Sequence, residues 1–128
     1  SPQIATFGKV EVDLDKDGVW YEVLETSFEN EDRAITDDAQ DGFVRVYIDK
    51  KGLLLGGTMV GDDAGELIQE FLLLHTLNLP LSELYKKTYP YPTKSRINRK
   101  LVAGYLSKRL TYRNSAILRL LFKIKSLF

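Results

Sequence analysis

Apolar and polar residues alternate with a period of two over Gly42-Phe43-Val44-Arg45-Val46-Tyr47-Ile48-Asp49, as in a strand with one buried face. Lys50-Lys51-Gly52 makes a tight turn into Leu53-Leu54-Leu55-Gly56-Gly57-Thr58-Met59-Val60, so the two runs predict a β-hairpin. Upstream, Ile4 to Val12 reads as a strand and Asp13 to Gly18 as a turn. Val19-Trp20-Tyr21-Glu22-Val23-Leu24 is a second run of strand formers. Glu31 to Ile35 reads as a short helical turn.

After Gly61 the period becomes helical. Ala64, Leu67, Ile68, Phe71, Leu72 and His75 share one face and predict a long helix over 63–77, with Asp62 or Asp63 as its cap. Pro80 to Glu83 starts a shorter helix, with Ser82 as its cap. Tyr89-Pro90-Tyr91-Pro92 cannot be helical, because each proline pushes the residue before it towards extended geometry. Ile97, Leu101, Tyr105 and Leu106 then mark a helix over Ser95 to Leu110. Asn114 to Phe128 predicts a further helix, with Ile117, Leu120, Leu121, Ile124 and Phe128 on one face. Arg119, Lys123 and Ser126 fall opposite, and Lys125 lies near the boundary. Strands followed by segregated helices imply an α+β architecture built on an antiparallel sheet.

Composition narrows the chemistry. The 128 residues suffice for one domain. Cysteine is absent, which excludes disulfides, thiolate nucleophiles and cysteine-ligated metals within these residues. No signal peptide is visible and no apolar run reaches the roughly 18 residues of a membrane span, so a cytoplasmic setting is expected. Net charge is zero, but all 18 acidic residues and only 6 basic ones lie in 1–83, a balance of −12, whereas 84–128 holds 12 basic residues and no acid. Either the halves neutralise each other within the fold or across a dimer, or the basic half faces an anionic surface. Nucleic acid is not expected as a partner. For the tail, the open alternatives are packing against its own domain or across a dimer, and peripheral membrane contact through 114–128.

Three motifs invite a metal or nucleotide reading and are better explained otherwise. Asp13-x-Asp15-x-Asp17-Gly18 imitates the first half of an EF-hand loop, but the twelfth position is Leu24 and Glu25 comes one place late. A turn is expected there. Gly56-Gly57 with Gly61 lacks a following Gly-Lys-Ser/Thr, so close packing or a bulge is expected rather than a phosphate cradle. His75 is the only histidine and lies on an apolar helix face, which implies a buried or interfacial residue. No metal site is expected.

Tyr89-Pro90-Tyr91-Pro92-Thr93-Lys94-Ser95-Arg96, some twenty residues after Ala64-Gly65-Glu66-Leu67-Ile68-Gln69, resembles the close of one known domain. It is the C-terminal dimerisation domain of the pyridine nucleotide-disulfide oxidoreductases, the family of dihydrolipoamide dehydrogenase, glutathione reductase and mercuric reductase. Asp32-Arg33-Ala34 and Gly42-Phe43-Val44 add to the resemblance, which covers about residues 1–110. It implies a sheet of about five strands flanked by helices and a dimerisation domain over 1–110. Residues 111–128 form a basic amphipathic extension beyond the usual family end. The abrupt start reads as a fragment of a longer enzyme, with FAD and NAD(P) held by upstream domains and no cofactor in the fragment itself.

The family pattern is His-x-His-Pro-Thr-x-x-Glu, where the second His and the Glu form an acid–base pair; Tyr91 and Arg96 occupy those positions here. The resemblance thus implies substituted catalytic positions at Tyr91 and Arg96, a cis Tyr91-Pro92 bond, and Tyr91 and Pro92 near the flavin of the partner subunit. A homodimer of an FAD- and NAD(P)-dependent oxidoreductase is the function implied, with no catalysis by the fragment alone. A structural Tyr-Pro corner is the other reading of the segment. The alternative function is a non-catalytic dimeric scaffold whose basic C-terminal half docks on membrane or an acidic partner.

Overall fold

A computed structural model describes residues 2–28 and 42–126. Among them the antiparallel sheet has four strands, β1 (Gln3–Gly8), β2 (Glu22–Ser27), β3 (Phe43–Ile48) and β4 (Leu54–Gly61), in the order β1-β4-β3-β2. The expected hairpin is β3–β4. Asp49 closes it, its side chain accepting from the Lys51 and Leu53 backbone N–H groups at 2.8 and 3.0 Å, with Gly52 at φ 82°. Register runs Val44↔Met59 and Val46↔Gly57 on one face, extended by Ala5 and Phe7 of β1 and Leu24 of β2. That face carries the core, where Val44, Val46 and Met59 are fully buried.

Four later elements cover this face: α2 (Ala64–Leu67), α3 (Gln69–Leu77), a 3-10 segment (Leu81–Lys86) and α4 (Arg96–Ser126), while α1 (Glu11–Lys16) lies between β1 and β2 in sequence. Ala64, Ile68, Phe71, Leu74, Leu81 and Ile97 reach the core from the later helices. Leu14 of α1 and Tyr47 of β3 are buried outside that main cluster.

Several expectations change. Among the described residues the sheet has four strands where the resemblance implied about five, and Asp13 to Lys16 belongs to a helix rather than to a turn between strands. Asp13 Oδ2 accepts from Val10 N–H at 3.3 Å, Lys16 suits the negative end of the helix, and Leu14 anchors it at 1% exposure. The turn comes at Asp17-Gly18, with Gly18 at φ 65°. The second strand begins at Glu22, later than Val19. The long helix expected over 63–77 is broken at Ile68, where Asn98 Nδ2 donates to the Leu67 carbonyl at 2.8 Å and so inserts a side chain into the ladder. Asp63 does occupy the cap position, but its side chain bonds Lys94 and makes no cap hydrogen bond. Ser82 lies inside the 3-10 segment, whose cap position is Pro80. The expected helical turn at Glu31–Ile35, with Asp32-Arg33-Ala34, lies outside the described residues.

The C-terminal helices expected over 95–110 and 114–128 are one helix. With no proline after Pro92 and no glycine after Gly104, nothing stops α4 until Ser126, and its 31 residues span about 46 Å. Ile97, Leu101, Val102 and Tyr105 bury its first three turns. From Ser107 to Lys123 every residue is exposed, so this part of the helix does not pack into the described part of the domain.

Candidate functional site: the Tyr89–Arg96 corner

The corner is built between the 3-10 segment and α4. Two prolines keep it extended, and Tyr91-Pro92 is cis as the resemblance implied. Thr93 ties the two sides together. Its hydroxyl donates to the Pro90 carbonyl at 2.7 Å and lies 3.1 Å from the Ser95 hydroxyl. Arg96 N–H donates to the Thr93 carbonyl at 3.3 Å and Asn98 N–H to the Ser95 carbonyl at 3.0 Å, which starts α4 directly behind the corner. Lys94 Nζ donates to Asp63 Oδ2 at 3.1 Å, fastening the corner to the start of α2.

The two tyrosines have opposite fates. Tyr91 is 66% exposed, at the tip, and the Arg96 guanidinium lies over its ring at 5.2 Å. Arg96 Nη1 also reaches back to donate to the Tyr89 carbonyl at 3.4 Å. The structure therefore brings Tyr91 and Arg96 together, with Pro92 exposed beside them. The contact is cation over ring, not a base oriented by a carboxylate.

Tyr89 is buried and enters a polar cluster that sequence reasoning missed. Its hydroxyl donates to Glu70 Oε1 at 3.0 Å, and Asn98 Nδ2 donates to the same oxygen at 2.9 Å. Lys87 Nζ pairs with the other Glu70 oxygen and lies over the Tyr89 ring at 4.6 Å. Burial, followed by the Glu70 charge, pushes the Tyr89 phenol well above its ordinary value, so it stays a donor. Asn98 is fully buried, and its Oδ1 meets no hydrogen-bond partner among the described residues. The one available signal was Glu70 itself, an acid following Ile68-Gln69 on a largely apolar helix. Nothing in its spacing named Tyr89 or Asn98 as partners.

The other candidate motifs are absorbed by structure. Each aspartate of the EF-hand imitation is engaged locally, Asp15 Oδ1 by the Tyr21 hydroxyl at 2.7 Å and Asp17 Oδ2 by Lys9 Nζ at 2.8 Å. The bond to Asp15, with lesser help from burial, pushes the Tyr21 phenol up to about 12. No cluster of three or more metal-ligating side chains exists among the described residues. A Cβ on Gly56 would lie 2.0 Å from the Lys9 carbonyl oxygen, and one on Gly57 2.8 Å from that of Arg45. The glycine pair therefore serves close packing. His75 is half-buried, with Nδ1 2.9 Å from the Leu54 carbonyl oxygen and its ring edge-on to Phe7 at 5.4 Å.

Comparison with known proteins agrees with this layout. The chain is 33% identical over 111 residues to the mitochondrial dihydrolipoyl dehydrogenase of Caenorhabditis elegans, covering 85% of this chain and 22% of that protein. It is 36% identical over 103 residues to the dihydrolipoyl dehydrogenase of Rhizobium etli, covering 80% of this chain and 21% of that one. This chain thus spans about a fifth of the length of these relatives. Its fold matches that of LpdA from Mycobacterium tuberculosis with a TM-score of 0.74 at 23% identity, over 81% of this chain and 23% of the other. A similar match joins it to the HOCl-induced flavoprotein disulfide reductase RclA from Escherichia coli, with a TM-score of 0.72 at 20% identity, over 80% of this chain and 26% of the other. The model of the pyridine nucleotide-disulphide oxidoreductase dimerisation domain matches residues 1–101, and the chain belongs to that family.

Proposed function

We propose that residues 1–110 pair two subunits of an FAD- and NAD(P)-dependent oxidoreductase, with 111–128 as a basic extension and Tyr91 and Arg96 at the positions of the usual acid–base pair. The observation that carries the substituted site is the 5.2 Å contact of the Arg96 guanidinium with the exposed Tyr91 ring. A phenol with an ordinary pKa of about 10 is a poor base near neutrality, and arginine keeps its charge. The corner offers a hydroxyl donor beside a fixed cation, which suits a polar or anionic group presented by a neighbouring subunit. FAD and NAD(P) are assigned to upstream domains of the parent chain, where flavin supplies the redox chemistry when bound. Tyr91 and Pro92 would lie near the partner subunit's flavin, and Tyr91 fits that place by its exposure. The test is the purified parent chain: bound flavin in its absorption spectrum, a Cys-x4-Cys motif upstream, and a dimer by light scattering are expected.

A second reading is favoured by the exposed tail: a non-catalytic dimeric scaffold whose basic C-terminal half docks on membrane or an acidic partner. A parent chain without flavin and without an upstream Gly-rich FAD fingerprint would select it.

A further inference from the structure

The part of α4 beyond Leu106 leaves a large apolar area in water. Phe122 is 71% exposed, and Ile117, Leu118, Leu120 and Leu121 are each about half exposed. At 100° per residue, Leu106, Leu110, Ile117 and Leu121 follow one stripe, with Leu120 at its flank. Leu118 and Phe122 widen the apolar surface beyond that stripe. Arg119 and Lys123 stand on the side opposite the stripe, and no acid occurs after Glu83.

The stripe runs into a groove of about 890 Å³ at the root of the tail, where Trp20 faces Leu106, Arg109, Leu110, Tyr112 and Arg113. Lys108 also lines it, Lys50 lies over the Trp20 ring at 5.3 Å, and Glu22 is its one acid. Trp20 and Tyr112 are both well exposed. Aromatic rings with polar edges, arginines and lysines on the same face as bulky aliphatics match the polar-to-apolar gradient at the edge of a bilayer.

We propose that this face, from Trp20 along the tail to Phe122, docks on an anionic lipid surface, with the helix lying in the interface. It shares with the second reading above only the tail as a docking element, and holds whether or not the parent carries flavin. Charge decides against a second copy of the tail as the occupant. Two such helices side by side would bring cations together with no acid on either to offset them. A protein groove would cover a single stripe and leave Leu118 and Phe122 wet. A lipid interface accepts a wide apolar face while the cations extend to the headgroups. The helix does not cross, since no helix among the described residues is long and apolar enough to span a membrane.

The full chain is mixed with phosphatidylcholine vesicles, with and without phosphatidylserine, and sedimented. Binding to the anionic vesicles alone, released as salt rises, is expected. Trp20 is the only tryptophan, so its emission should shift to the blue on binding. Replacing Arg119→Gln and Lys123→Gln together should weaken partitioning about 25-fold, at about fivefold per cation. Ile117→Asp with Leu121→Asp should abolish it. These positions are exposed, so an unchanged unfolding midpoint checks that the domain is intact. The proposal is overturned if the intact chain ignores anionic vesicles, binds both kinds equally, or keeps its affinity in the glutamine variant. An unshifted Trp20 spectrum on bound vesicles would overturn the docking geometry. Self-association lost in the aspartate variant, without vesicle binding, would assign the face to a second copy instead. Flavin content is measured separately, so failure here leaves the choice between the two functional readings untouched.

Discussion

Arg96 holds Tyr91 from behind: its guanidinium lies 5.2 Å from the Tyr91 ring centre while Nη1 donates to the Tyr89 carbonyl at 3.4 Å. The cation is therefore shared between the exposed tip of the corner and the backbone of its buried root. A glutamate at this position could make neither contact favourably, since a carboxylate is repelled by both the ring face and the carbonyl oxygen. Tyrosine and arginine suit each other here, and neither suits the acid–base role.

With Tyr91 and Arg96 at the acid–base positions, as proposed above, the parent chain should be a poor dihydrolipoamide or glutathione disulfide reductase. A positioned acid–base group contributes roughly 10²–10⁴-fold, and the proposed placement replaces both members of the pair. Steady-state kinetics on the full-length protein should show turnover lower than the family's by about that factor. Ordinary rates on either substrate would contradict it.

Glu70 should matter more to stability than any other charged residue of the domain. It accepts from the Tyr89 hydroxyl and from Asn98 Nδ2, and it pairs with Lys87. Glu70→Ala strips the acceptor from two buried donors and should cost about 2–4 kcal/mol. Tyr89→Phe removes one donor and should cost only about 1 kcal/mol. Urea unfolding of both single variants and the double should reveal coupling, with the double less destabilised than the sum.

The same phenol makes a pH prediction. Folding holds the Tyr89 pKa well above the ordinary phenol value, through burial first and Glu70 second. The unfolded chain releases this proton first, so the stabilisation is complete below about pH 10 and declines as pH rises from there towards the folded value. Tyr21, also raised, declines in the same window. The difference between the original chain and Tyr89→Phe isolates Tyr89: it should be constant near neutrality and shrink above about pH 10. A difference that grows with pH would reverse the assignment.

What could be read in advance divides by distance along the chain. The β3–β4 hairpin was legible because alternation and the Lys50-Lys51-Gly52 turn are local signals. The Tyr-Pro corner was legible through residues contiguous in sequence. The Glu70–Tyr89–Asn98 cluster was not, because its contacts join residues 19 and 28 apart and exist only once α3, the corner and α4 have packed. The break at Ile68 follows from the same packing. α1 was missed for a different reason: its aspartates favour turns as single residues, and only the burial of Leu14 and the capping by Asp13 tip the balance to helix.

Glycine substitutions give the sharpest separation between close packing and mere tolerance. At Gly56 a Cβ would stand 2.0 Å from the Lys9 carbonyl oxygen and 2.5 Å from its nitrogen, so β1 would have to leave β4. Gly56→Ala should cost about 3 kcal/mol or more. At Gly57 the nearest atoms are the Arg45 oxygen and Phe7 Cε1, both at 2.8 Å. The ring can shift although the backbone cannot, so about 1–3 kcal/mol is expected. Gly104, exposed in α4, has nothing within 4 Å of an added Cβ. There alanine restores helix propensity and should stabilise by about 0.5–1 kcal/mol. Thermal or urea midpoints of the three variants should therefore rank Gly104→Ala above the original chain, then Gly57→Ala, then Gly56→Ala. If Gly56→Ala unfolded with the original midpoint, β1 would not lie against β4 as closely as described, and the glycine pair would again need a reason.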